Sequence, residues 1–221
     1  MKFRPGRALK ALLSAQMKMH FSQFGEEGTI SRQFPRGYLG TYLDIGAFHP
    51  FKWSNTARLW LTGWNGVNID ANRQSIARFE RARPSDRNIW AAVVPAAGWH
   101  EGQTVAFTGK QDGIDPVGAV QADRETGSVT SAVPAISLDS LAGYFTAPLD
   151  FMNIDIEGID EVVVSEDAFA RLSPHVLAIE QYGDDIAEIL ERPSSRKLAV
   201  LGYRMVGRCH VTSIYRRADR I

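Results

Sequence analysis

Apolar residues along this chain fall into two alternating patterns. Short dense runs such as Tyr42-Leu43-Asp44-Ile45, Val67-Asn68-Ile69, Phe151-Met152-Asn153-Ile154 and Val176-Leu177-Ala178-Ile179 have the length and content of strands. Between them apolar residues recur at helical spacing, as Ile76 and Phe79 do between Arg73 and Arg83 before Pro84 stops the pattern. Ser54 is placed to cap a short helix over Asn55 to Leu61, ended by Thr62-Gly63. Further helices are expected over Asp160 to Leu172, Asp184 to Glu191 and Ser195 to Leu201.

The remaining strands are expected over Asn88 to Val94, Thr104 to Thr108, Val129 to Ile136 and Val176 to Glu180. Tyr203 to Val206 and His210 to Ile214, separated by Gly207-Arg208-Cys209, read as a terminal hairpin. Gly109 to Gly127 is a long irregular excursion, the kind of segment that faces an acceptor. Alternating strands and helices followed by a hairpin predict an α/β fold: a single Rossmann-like domain, its sheet mostly parallel, with an antiparallel C-terminal hairpin that supplies one antiparallel edge strand. It spans residues 21–221, behind an amphipathic helix at residues 1–20 in which Leu9, Leu13 and Met17 form a stripe beside Arg4, Arg7 and Lys10. That stripe suits packing on the domain or on a second subunit better than a membrane surface.

The chemistry concentrates in Thr41 to Ala71. Two strands each end on a carboxylate, Asp44 and Asp70, and a glycine turn at Gly46 follows the first, which is the opening of a βαβ unit that holds a nucleoside. Asp70 at a strand tip suits the two hydroxyls of a ribose. A dinucleotide turn needs three glycines at G-x-G-x-x-G spacing, whereas this one runs Gly46-Ala47-Phe48-His49-Pro50-Phe51, with a bulky side chain and a proline that offers no N–H. Asp44 repels a pyrophosphate but tolerates the sulfonium and ammonium of S-adenosylmethionine, so electrostatics favour that donor over NAD. A blander alternative makes Asp44 a cap for Ser54 or a nearby helix.

Tyr42-Leu43-Asp44-Ile45-Gly46-Ala47-Phe48-His49-Pro50, Ser54-Asn55-Thr56, Gly63-Trp64-Asn65-Gly66-Val67-Asn68-Ile69-Asp70-Ala71 and Phe151-Met152-Asn153-Ile154-Asp155-Ile156-Glu157-Gly158 resemble the FkbM-type methyltransferase family. The resemblance runs from about Phe21 to about Ile179, with four blocks in order. It implies a transferase that uses S-adenosylmethionine and methylates a hydroxyl on a sugar, polyketide or other small molecule. The same resemblance covers Ser22 to Gly28, a segment that in such folds lies over the methionine end of the donor, where Gln23 and Glu27 are either polar contacts or caps of a solvent-exposed helix.

Donor-binding candidates are therefore Gln23, Asp44, Gly46, Asp70, Ala71 and Ala92, the last beside Ala91 where an adenine ring needs a flat apolar wall. Asp155 and Glu157, two residues apart on an extended segment, share a face. With His49 they are the candidates for taking a proton from the acceptor hydroxyl, Glu180 being a further carboxylate at a strand end. The same three groups could instead bind a divalent cation that lowers the pKa of the acceptor hydroxyl, but their spacing is not diagnostic of a metal, and the metal-free mechanism is favoured. The rivals are an NAD-type oxidoreductase, disfavoured because no tyrosine is followed four residues later by lysine, and a donor-binding module without turnover.

Composition narrows the partners. The 25 basic and 25 acidic residues cancel, which argues against a polyanionic partner such as nucleic acid. The single cysteine, Cys209, excludes an intrachain disulfide and suits a reducing compartment. No apolar run approaches the ~20 residues of a membrane span, and Lys10 and Gln16 interrupt the N-terminal one. The expectation is a cytoplasmic enzyme acting on a small molecule or glycan, with a homo-oligomer open.

Overall fold

The structure is a computed structural model that describes residues 20–110, 119–122, 128–146, 149–156 and 160–219. The expected N-terminal helix lies outside them. In chain order the elements are α1 (Glu26–Ser31), β1 (Thr41–Ile45), α2 (Ala57–Leu61), β2 (Asn65–Asp70), α3 (Arg73–Ala82), β3 (Arg87–Trp90), β4 (Ala92–Val94), β5 (Thr104–Lys110), β6 (Ala119–Ala122) and β7 (Ser128–Ser137). They continue with α4 (Leu138–Ala142), β8 (Phe151–Ile154), α5 (Asp160–Val163), α6 (Asp167–Leu172), β9 (Val176–Glu180), α7 (Ile186–Glu191), α8 (Pro193–Val200), β10 (Tyr203–Cys209) and β11 (Thr212–Arg217).

Seven strands make the main sheet in the order β10-β11-β9-β8-β1-β2-β3. All the contacts from β9 across to β3 are parallel. Strand order reverses between β1 and β8, because the chain leaves β1 toward β2 on one side and resumes at β8 on the other. In open α/β sheets a crevice forms outside the strand carboxyl ends at such a point.

The hairpin is present but differs in two respects from the sequence expectation. Gly207 is not a turn residue: it lies in β10 at an irregularity where the register shifts between Met205 and Gly207. The turn comes at His210, whose φ is 51°. Moreover β11, not β10, pairs with β9, so the antiparallel strand sits inside the sheet and the edge strand runs parallel to the rest.

A smaller four-stranded sheet branches off after β3, with β4 parallel to β7 and both β5 and β6 antiparallel to it. The strand expected over Asn88 to Val94 is therefore two strands, and the chain changes sheets at Ala91. Part of the expected excursion, Ala119–Ala122, is strand β6, and most of the rest lies outside the described residues. The helix expected over Asp160 to Leu172 is also split, because Glu166 is extended (φ −76°, ψ 149°) and its Oε1 accepts the Ala96 N–H at 2.8 Å.

Alternation along the strands separates two cores. Leu43, Ile45, Val67, Ile69, Met152 and Ile154 pack with α4, α6 and α8 on one face. Tyr42, Phe151, Val176 and Ala178 pack with Ile30, Phe34, Leu59 and Trp64 on the other.

Candidate active site

The Tyr42 face carries a polar row near the strand carboxyl ends. Asn153, Asp44, Asn68 and Asn88 stand opposite one another on β8, β1, β2 and β3. Asp44 is 2% exposed and both its oxygens are occupied: Thr56 Oγ1 donates at 2.6 Å and Asn153 Nδ2 at 2.9 Å. Asn68 Nδ2 donates to Asp86 Oδ2 at 3.0 Å and to Asn88 Oδ1 at 2.8 Å, and the Tyr42 hydroxyl donates to Asp86 at 2.5 Å. Two buried carboxylates need a counter-charge. Arg83 supplies it.

Arg83 is completely buried at the end of α3. Its guanidinium donates to Thr56 Oγ1 at 2.9 Å, to Ser54 Oγ at 3.1 Å and to the Pro50 carbonyl. It also lies over the rings of Phe79, Trp60 and Phe51 at 5.0, 5.7 and 5.8 Å. The arginine thus ties the polar row to the loop that follows β1.

That loop begins at Gly46, whose φ of 78° and surroundings both demand glycine: a Cβ there would lie 1.7 Å from the Asp155 carbonyl oxygen. The ends of β1 and β8 are therefore in contact. The Gly46 and Ala47 N–H groups donate to the Ile69 carbonyl at 2.9 and 3.0 Å, and Phe48 N–H donates to Asp70 Oδ2 at 2.7 Å. The other Asp70 oxygen accepts Asn72 N–H at 2.6 Å. His49 Nδ1 accepts the N–H groups of Phe51 at 3.1 Å and Lys52 at 3.0 Å. Ser54 closes the loop by accepting Ala57 N–H at 3.1 Å, but it is not the N-cap expected from the sequence: α2 starts at Ala57, two residues later than expected, and its N-cap position is Thr56.

The segment ahead of α1 crosses this loop. Ser54 N–H donates to the Phe21 carbonyl at 3.1 Å, and the rings of Phe21 and Phe51 are 6.4 Å apart. Glu27, buried, holds the segment by accepting the N–H groups of Phe21 and Ser22. Gln23 is exposed on it.

Burial raises the Asp44 carboxyl above the usual range, against the lowering effect of Thr56, Arg83 and Asn153. Burial likewise raises Asp70, to about 6, although the Asn72 and Phe48 N–H groups pull the other way. His49 is lowered, first by burial and then by Arg78, Lys52 and Arg83, so it is neutral near pH 7. In a neutral imidazole whose Nδ1 accepts, the proton is on Nε2. The ring therefore presents a donor, not a vacant base, and its geometry departs from the sequence expectation for that reason.

Other candidates sort by location. Asp155 is exposed at the end of β8, and Ala71 follows β2, its carbonyl accepting Trp90 Nε1 at 2.9 Å. Glu157 lies outside the described residues, and Glu180 ends β9 beside Thr212. Asp44 caps neither Ser54 nor the helix backbone: it accepts the side chains of Thr56, just ahead of α2, and Asn153. Ala92 belongs to β4 in the smaller sheet, paired with Ala135, so it is not on the strand beside Asp70. The residue opposite Asp70 on β3 is Trp90, with the Arg73 guanidinium 4.9 Å from its ring.

Sequence reasoning missed Trp90, Arg83 and Asn55. Asn55 Nδ2 donates to Asn153 Oδ1 at 2.9 Å, while its own Oδ1 is buried with no partner among the described residues. Among those residues no group of three or more His, Cys, Asp and Glu is arranged to hold a metal ion, and no helix is long and apolar enough to cross a membrane.

A doubly wound α/β domain with a glycine turn at the reversal of its sheet and a partly exposed carboxylate at the end of the next strand belongs to the class that binds ligands at strand carboxyl ends. The Methyltransferase FkbM domain model matches residues 44–205, most of the chain, and the protein belongs to that methyltransferase family. No curated protein matches it. Among solved structures it is similar to a TehB-like SAM-dependent methyltransferase from Corynebacterium glutamicum, with 12% identity, 96% of each chain covered and a TM-score of 0.40, a likeness too distant to bear on ligand or mechanism.

Proposed function

We propose that this methyltransferase takes its methyl group from S-adenosylmethionine and places it on a hydroxyl of a small molecule or glycan. The observation that carries the donor assignment is Asp70. Each of its oxygens accepts one backbone N–H, which leaves each a lone pair for one ribose hydroxyl. Asn55 Oδ1, a buried acceptor without a partner among the described residues, suits the donor's ammonium. Gly46 fits as the turn that keeps this end of β1 free of side chain, and Trp90 replaces the alanines as the flat wall beside Asp70. Asp44 acts through Thr56 and Asn153, not by touching the donor.

When bound, S-adenosylmethionine supplies an electrophilic methyl carbon on sulfonium, open to in-line displacement by oxygen. The chain's own work is to align the acceptor, exclude water and remove a proton. Asp155 is the base in this reading, with Glu157 two residues on, and no metal takes part. His49 Nε2–H donates to the acceptor or to Asp155 and keeps the loop turn closed. Gln23 lies on the segment that covers the donor's amino-acid end.

Labelled S-adenosylmethionine incubated with hydroxylated acceptors tests the proposal. Label is expected in an O-methyl product, with kcat in Asp155→Asn lowered by about tenfold to a hundredfold and donor affinity retained. Donor binding with no label transfer to any acceptor would reduce the protein to a binding module. Loss of turnover in EDTA, restored by Mg²⁺, would overturn the metal-free step.

A further inference from the structure

The loop after β1 holds two bulky residues where bulky residues rarely sit. Phe48 and Trp53 have φ of 54° and 58°. Left-handed backbone is a genuine outlier for such side chains and persists only where the surroundings impose it. Here they do: Asp70 holds the Phe48 N–H, His49 Nδ1 holds the next two turn amides, Arg83 holds the Pro50 carbonyl and Phe21 holds Ser54.

The outcome of that strain is a surface, not a core. Phe48 is 37% and Trp53 52% exposed, and their rings stack on each other at 5.7 Å with 15° between planes. Folding gains little from aromatics left in water. Lys52 Nζ sits 4.1 Å from the Trp53 ring centroid. Neither Lys52 nor Arg78, which with Arg83 makes the potential at His49 positive, pairs with a carboxylate among the described residues. The platform starts at Phe48, the residue bonded to Asp70, and is therefore continuous with the crevice assigned to the donor.

We propose that Phe48, Trp53 and Lys52 form the acceptor subsite, and that the acceptor is a saturated ring, a pyranose, bearing a negative charge. An aromatic stack at the lip of the site offers a flat face to ring C–H groups. The lysine above it, which pairs with no carboxylate among the described residues, offers a partner to phosphate or carboxylate. This rests on the methyl-transfer reading above, which requires a hydroxyl-bearing acceptor within reach of the donor.

The test is calorimetric titration of the full-length protein with glucose 6-phosphate, glucuronate and methyl glucoside, with and without S-adenosylhomocysteine. Both charged sugars are expected to bind more tightly than the neutral one if charge alone is read, and only one of them if its anion is specifically recognised. Trp53→Ala should weaken the charged sugars by about tenfold. Lys52→Gln should weaken them several-fold and leave methyl glucoside unchanged. S-adenosylhomocysteine affinity should stay at the wild-type value in both variants. Equal affinity for charged and neutral sugars, or unchanged affinity in Trp53→Ala, would overturn the proposal. So would a shift in sedimentation of Trp53→Ala from dimer to monomer, which would make the stack a subunit contact. Failure of the donor reading shows separately, as no binding of S-adenosylhomocysteine by the wild type, and the titrations without it still decide the platform.

Discussion

The two faces of the same strands solve opposite problems. On one, Leu43, Ile45, Ile69, Met152 and Ile154 are buried among aliphatic side chains and owe their stability to area removed from water. On the other, at the same level of the same strands, Asp44, Asn68 and Asn153 are equally buried but polar, and are satisfied by one another and by Thr56, Asp86 and Arg83. The apolar face holds the sheet to its helices. The polar face spends stability to fix a loop, because Arg83 reaches Pro50, Ser54 and Thr56 and so sets the turn that carries Phe48 against Asp70.

The largest effect should come from removing that arginine. Arg83→Met removes the buried positive charge acting on Asp44 together with the donors to Pro50, Ser54 and Thr56, and is expected to cost about 3–5 kcal/mol in urea unfolding. A loss below 1 kcal/mol would mean that the Asp44 carboxyl is neutral in the folded protein. Next, Leu43→Ala opens a cavity on the apolar face at about 2–5 kcal/mol, yet the folded variant should keep donor affinity. Loss of binding there would show that the two faces are not separable.

Acidity sharpens the contrast at the strand tips. Asp70 is raised to about 6 by burial. Its contribution to stability is therefore fully present below the unfolded carboxylate value and lost as pH rises through about 6. Donor binding has the opposite sign, since two hydroxyls donate best to the ionised form. Affinity for S-adenosylhomocysteine should be level above pH 7 and fall by up to about tenfold per unit below 6. A flat profile from pH 5 to 8 in calorimetry would separate Asp70 from the ligand.

His49→Ala is expected to be the mildest. The variant loses an acceptor for two backbone N–H groups and should cost about 1 kcal/mol, with kcat lowered several-fold and the acidic limb of the pH–rate profile retained. Disappearance of a limb near the histidine range would make His49 the base after all.

Much of this was legible in the chain, and what was not has definable causes. Strand ends at Ile154 and Glu180 agree with the run of apolar residues because dense central strands leave little choice. The boundary at Ala91 was hidden because Ala91-Ala92-Val93-Val94 continues the apolar run while the chain changes partners. Asp70 was readable from its position at a strand tip. The polar row was not expected, although Leu43-Asp44-Ile45, Val67-Asn68-Ile69 and Met152-Asn153-Ile154 share one apolar–polar–apolar triplet that could have signalled adjacent strands with a polar level. Arg83 was not readable, since an arginine before a proline at a helix end looks like any solvated stop until the strands' carboxylates are placed beneath it.

Asp70→Asn offers the most direct test of the donor assignment. Calorimetry at pH 7.5 with S-adenosylhomocysteine is expected to show affinity weakened about tenfold to a hundredfold, in a variant whose thermal unfolding shows it folded. Unchanged affinity, or binding of NAD more tightly than S-adenosylhomocysteine by the wild type, would contradict the account.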